Sequence, residues 1–181
     1  MNLIVTGEIG SGKTSWCDRY ASILKWQGVK VGGILCRVQS NENVKIGYDV
    51  IDLHSGQSTS FARVDSAARE IGQKVGKYVI SDTGLAFAKQ AISNAVQTGC
   101  SVVFIDEMGH LELNGKGLSQ EAQVAYGQSP NTVSVVRKRL LLNFVNRFSA
   151  SKPSTNFVTH DIGLDLEKEG HVFSYPDINI L

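Results

Sequence analysis

The stretch Ser101-Val102-Val103-Phe104-Ile105-Asp106 carries four apolar residues in a row with no polar alternation. A strand of that texture cannot lie at a water-exposed sheet surface; it requires cover on both faces, which is the environment of a parallel strand in an α/β protein. The rest of the chain agrees. Residues 2–6 form a short apolar run, and behind it Cys17, Tyr20, Ala21 and Leu24 recur at the spacing of one helix face, with Gly28 placed to end that helix. Residues 77–80 predict a strand, Ser81 and Asp82 an N-cap, and Leu85, Ala88, Ile92 and Ala95 the buried face of a second helix ended by Gly99. Residues 114–117 read as a loop, 118–126 as a short helix and 132–136 as another buried strand. Leu141, Phe144, Val145 and Phe148 then share a helix face. The tail offers two more strand candidates, residues 156–159 and 171–175.

Strands alternating with helices predict a three-layer α/β fold around a mostly parallel sheet with right-handed crossovers. One segment breaks the alternation. Residues 29–38 and 44–53 are both β-rich and are separated by the polar turn Gln39-Ser40-Asn41-Glu42-Asn43, so an antiparallel hairpin edge is expected there. No repeat, low-complexity tract or Pro/Ser-rich linker divides the chain, and a single domain over residues 1–181 is the expectation.

Composition narrows the function classes. With 181 residues, 18 Lys+Arg against 17 Asp+Glu and 42% apolar residues, the chain reads as an ordinary globular protein. A net charge of +1 lacks the dense basic face that nucleic acid or an anionic membrane demands, so neither partner is expected. No targeting or membrane-spanning stretch is evident, and a cytoplasmic location is expected. Cys17, Cys36 and Cys100 are far apart, and the four histidines fall at no His-x-x-x-His interval, so neither a disulfide framework nor a zinc site is indicated.

The chemistry concentrates in two places. Gly7-Glu8-Ile9-Gly10-Ser11-Gly12-Lys13-Thr14 fits Gly-x-x-x-x-Gly-Lys-[Ser/Thr], and it lies between a strand and a helix. Glycines let the backbone curl around an anion and aim N–H groups at it, and the helix N-terminus adds positive potential. Residues 7–14 with Ser15 are therefore the expected polyphosphate cradle. Lys13 is expected at the β- and γ-phosphates and the Thr14 hydroxyl at Mg²⁺. Glu8 brings a negative charge into this loop, which its side chain can relieve by pointing outward. The second place is Asp106 at the end of the apolar run, a carboxylate for Mg²⁺ offered by a neighbouring strand. Glu107 follows as the candidate that orients or deprotonates water. Glu112 is a further candidate for this half of the site, and a structural salt bridge or helix N-cap fits it equally. Beyond the loop, Arg137, the first of Arg137-Lys138-Arg139, is the candidate for charge on a transferring phosphoryl group; a basic face opening an exposed helix fits the same triplet. Arg147 is a weaker candidate on the same helix.

These residues resemble the small P-loop nucleoside-triphosphatases of the cancer-related or thermophilic type. The resemblance covers most of the chain: residues 7–14, Gly32-Gly33 followed by Gly47-Tyr48, Val75-Gly76-Lys77-Tyr78-Val79, and Ile105-Asp106-Glu107-Met108-Gly109-His110-Leu111-Glu112. It implies a RecA-like or kinase-like α/β fold and slow, Mg²⁺-dependent hydrolysis of several nucleoside triphosphates, ATP and GTP among them. The chain departs from the family pattern at Arg37-Val38-Gln39-Ser40, where an acidic-acidic-Val-Arg stretch is usual. It departs again at His110, where a lysine is usual, and near His160-Asp161, where an Asn-Arg pair is usual. These departures suit a divergent branch. Two other uses of the same parts stay open: a kinase passing the γ-phosphoryl to a small molecule or nucleotide, and a nucleotide-gated switch acting on a protein partner.

Overall fold

The computed structural model describes residues 1–42, 44–68, 71–151 and 156–163. The strand expected at residues 171–175 lies outside them. Among the described residues nine strands, β1 (Asn2–Gly7), β2 (Val31–Asn41), β3 (Val44–Asp52), β4 (Ser58–Val64), β5 (Gly72–Val75), β6 (Tyr78–Ser81), β7 (Val102–Met108), β8 (Asn131–Arg137) and β9 (Phe157–Asp161), join in one sheet of order β5-β6-β4-β3-β2-β7-β8-β1-β9. The helices are α1 (Lys13–Trp26), α2 (Asp82–Gln97), α3 (His110–Leu113), α4 (Ser119–Gln128) and α5 (Leu141–Ser151).

From β2 to β9 every pairing is parallel. From β2 outward through β3, β4, β6 and β5 every pairing is antiparallel. The expected hairpin is thus the root of a larger antiparallel wing. The run at 77–80, read as one more strand of the α/β alternation, pairs with β4 and β5 inside that wing.

Alternation along the buried strands divides the core in two. Leu3, Val5, Val102, Phe104, Val133 and Val135 face α1, where Trp16, Cys17, Tyr20, Ala21 and Leu24 cover them. Ile4, Val103, Ile105 and Val136 face the opposite layer of α2, α4 and α5, with Ala88, Ile92, Ala125, Phe144 and Phe148. This is the three-layer arrangement expected from the unbroken apolar runs, since every side chain of β7 from Val102 to Ile105 is fully buried.

Local signals sit where the sequence puts them. Gly28, in the left-handed region, ends α1 with its N–H on Lys25 and that of Val29 on Leu24, a Schellman closure, and Gly99 ends α2 in the same way. Ser81 caps α2 by accepting from the Gly84 N–H at 3.1 Å. The strand order was not legible in this way. β8 lies between β1 and β7, so Asp106 reaches the glycine loop from two strands away, where adjacency was expected.

Candidate active site

β1 ends at Gly7, and α1 starts at Lys13. The five residues between them turn back sharply, with Gly10 and Gly12 at φ 81° and 90°, a region where a side-chain-bearing residue is strained. Within the loop the Ser11 hydroxyl is buried with no hydrogen-bond partner among the described residues. The Lys13 ammonium folds onto the loop itself, donating to the carbonyls of Gly7 at 3.0 Å and Glu8 at 2.6 Å. Burial and then the nearby Arg137 charge lower the lysine pKa, while Asp106, Glu107 and Glu8 oppose them. Glu8 itself is exposed and stays out of the cleft lining, which is the outward orientation its charge requires.

Across the sheet, the alternation that turns Val102 and Phe104 toward α1 carries Asp106 the same way. Its carboxylate accepts from the Thr14 hydroxyl at 2.9 Å, from the Cys36 N–H at 3.0 Å and from the Glu107 N–H at 2.8 Å. Burial, and then the neighbouring Glu107 charge, push the Asp106 pKa up to about 7 despite those three donors.

Glu107 should point to the opposite face of the sheet from its neighbour. The ladder is irregular here, however. Ile105 pairs with Ser134 and Met108 with Val136, so Asp106 and Glu107 together oppose Val135 alone. Glu107 sits at φ 62°, the left-handed region that non-glycine residues rarely adopt. The extra residue brings both carboxylates to one cleft of 240 Å³, lined by Gly10, Gly12, Lys13, Thr14, Asp106, Glu107 and Arg137 among others. Arg137, at the end of β8, approaches the Glu107 carboxylate at 3.7 Å.

The remaining sequence candidates divide. Ile9 and Ser15 line the cleft; Gly7 and Ser11 belong to the loop but not to the cleft lining. Lys138 turns away to pair with Asp161 at 2.9 Å, and that contact lowers the Asp161 pKa. Arg139 and Arg147 are exposed and outside the cleft lining. Glu112 serves as a cap: it is buried, its carboxylate accepts from the N–H groups of Gly109 at 2.8 Å and Leu118 at 3.1 Å, and burial raises its pKa. His160 packs its ring 4.7 Å from that of Trp16. Three lining residues come from the wing: Val38, Lys45 and Tyr48. In sequence only Tyr48 stands out among them, through the partial alternation of its strand and the Gly47-Tyr48 pair, and neither signal assigns it to the cleft. Tyr48 is half-buried, and burial together with the Glu107 charge raises its phenol pKa.

The donors suit polyphosphate with a hard cation. A hydroxyl and one carboxylate are oxygen ligands of the kind Mg²⁺ accepts, with the rest of its shell left to phosphate and water. Among the described residues no group of three or more His, Cys, Asp or Glu could cage a metal without such help.

The sequence model of the family described as NTPase matches residues 2–162. The chain belongs to the NTPase family. Relatives of this P-loop NTPase include the nucleoside-triphosphatase THEP1 of Methanopyrus kandleri, 30% identical over 138 residues, which cover 76% of this chain and 74% of the relative. The THEP1 of Thermofilum pendens is 38% identical over 113 residues, 62% of this chain and 60% of the relative. Among solved structures, a human cancer-related nucleoside triphosphatase matches with TM-score 0.66 and 26% identity over 88% of this chain and 87% of its own. THEP1 from Aquifex aeolicus shares the fold, with TM-score 0.65 over 90% of each chain at 20% identity.

Proposed function

We propose that this NTPase-family protein hydrolyses the γ-phosphate of nucleoside triphosphates such as ATP and GTP with Mg²⁺ as cofactor, acting as one domain in the cytoplasm. The observation that carries the reading is the Thr14–Asp106 hydrogen bond, which brings the glycine loop and the β7 carboxylate to one point at the mouth of a cleft that Glu107 and Arg137 also line.

On this reading the loop N–H groups and the N-terminus of α1 bind the phosphates, and Lys13 leaves its two carbonyls to meet the β- and γ-oxygens. Thr14 and Asp106 would hold Mg²⁺, which would supply charge neutralisation at the β- and γ-phosphates. Glu107 accepts the proton of the attacking water, and Arg137, released from Glu107, stabilises charge on the transferring group. Positioning and charge stabilisation suffice for this reaction, so no covalent nucleophile is needed.

The test is calorimetric titration with non-hydrolysable ATP, GTP and CTP analogues in the presence of Mg²⁺, beside phosphate release from the triphosphates themselves. Binding and metal-dependent release are expected. No affinity for any analogue at millimolar concentration would overturn the reading.

A further inference from the structure

A second cavity opens directly behind the first. It measures 120 Å³, and its walls include the apolar and aromatic side chains of Phe61, Ala62, Tyr78, Ile80, Leu85 and Leu111, with His110 also on its lining. These come from the antiparallel wing, from α2 and from α3. The two cavities share Tyr48, Glu107 and Arg137, which stand as a polar partition between the cradle and the apolar chamber. Glu112 also borders the chamber, but its two oxygens are taken by backbone N–H groups, so Glu107 is the acid there with an oxygen not committed to capping.

Water-directed hydrolysis does not call for an apolar chamber on the far side of the base. A cavity of about 150 Å³ with aliphatic walls is known to admit one benzene ring. The present one is of that order and adds two tyrosine rings, Tyr48 and Tyr78, with centroids 5.6 Å apart.

We propose that this chamber holds the ring of a small hydroxyl-bearing acceptor and that, resting on the nucleotide-hydrolysis reading above, the protein transfers the γ-phosphoryl group to that hydroxyl in preference to water. The acceptor oxygen bonds to the γ-phosphorus, the bond from that phosphorus to the β–γ bridging oxygen breaks, and the nucleoside diphosphate leaves with the electron pair. The hydroxyl proton passes to the Glu107 carboxylate. The products are a phosphate monoester and a nucleoside diphosphate, with no oxidant or reductant involved.

The probe is benzyl alcohol, one ring and one hydroxyl, added in increasing concentration to protein with ATP and Mg²⁺ while ADP and free phosphate are measured separately. The expected result is ADP in about twofold or greater excess over phosphate, because a hydroxyl held beside the phosphorus gains the effective molarity of a bound reactant. Leu85→Trp and Ile80→Trp fill the chamber from two different elements; each should abolish the excess while hydrolysis in plain buffer stays within about threefold, and circular dichroism reports folding. ADP and phosphate equimolar at every alcohol concentration overturns the acceptor chamber and leaves hydrolysis standing. An excess that survives in a folded filled variant overturns the assignment of the chamber. No ADP with or without the alcohol overturns both this proposal and the reading beneath it.

Discussion

Thr14 at the start of α1 donates to Asp106 at the end of β7, 92 positions later in the chain, over 2.9 Å. Neither residue reaches the other through its own element. β1 and β8 set the loop, the buried apolar run sets the carboxylate, and the contact exists because the sheet holds both at one edge. Each of the following expectations depends on that edge.

Glu107→Gln keeps the shape of the side chain and removes its capacity to take a proton. Turnover should fall by about 100-fold or more, while affinity for ATP with Mg²⁺ changes little. Phosphate release and titration on the same preparation check the split.

Arg137→Ala removes the guanidinium that approaches Glu107. Loss of a charge-stabilising arginine should lower kcat by about 100-fold or more, with the KM for ATP changed by less than about threefold. If the arginine merely tethers Glu107, Arg137→Gln would restore most of the rate. Steady-state kinetics on both variants decide.

Asp106→Asn should separate stability from binding. A buried carboxyl whose folded pKa lies near 7 against an unfolded value of 3.8 holds its proton more tightly when folded. Its contribution to stability is therefore full below about pH 4 and is lost as pH rises through about 7. At pH 8 without Mg²⁺ the asparagine variant should melt at or above the wild-type temperature, by about 2–4 °C for each kcal/mol gained. Mg²⁺-dependent nucleotide binding should be lost. Thermal melts from pH 5 to 8, with and without Mg²⁺, read both effects.

Lys13→Ala should weaken ATP binding by about 10- to 100-fold, the value of a charge-assisted hydrogen bond. The melting temperature should change little, because the Glu8 carbonyl that Lys13 leaves is exposed and can be met by water. Calorimetry and a thermal scan give the pair of numbers.

Gly33→Ala tests the wall beneath the site. Gly33 has φ 85°, and a Cβ there would stand 2.1 Å from the Phe104 carbonyl oxygen, on the strand that carries Asp106. A loss of about 3 kcal/mol or more is expected, lowering the melting temperature by roughly 6–12 °C.

How much of this the sequence carries depends on the distance over which each feature is determined. The glycine loop, the Gly28 and Gly99 helix ends, the Ser81 cap and the buried β7 run are set by neighbours within a turn or a strand, and all are legible from spacing. The place of β8 between β1 and β7 is a choice among sheet orders that no local pattern records. The wing was legible only in part: β2 and β3 announce themselves around a polar turn, whereas β4 and the short β5 lack a clean alternation, and the 77–80 run looks the same whether its partners are parallel or antiparallel. Glu112 could not be assigned from its type, because its capping role depends on Leu118 coming back to meet it. Lys45 and Tyr48 belong to the cleft only because the wing curls over it.

The left-handed backbone at Glu107 reaches further than its geometry. A regular strand shows a crevice every second side chain, so two adjacent acids can share one only where the ladder yields a residue. Holding a non-glycine residue in that conformation costs on the order of 1–3 kcal/mol. Glycine at 107 would relax the main chain and leave the molecule sturdier but without its proton acceptor, and a β-branched residue would suit neither need. Robustness and chemistry thus pull in opposite directions at a single position, and the surrounding sheet must be stable enough to hold it there.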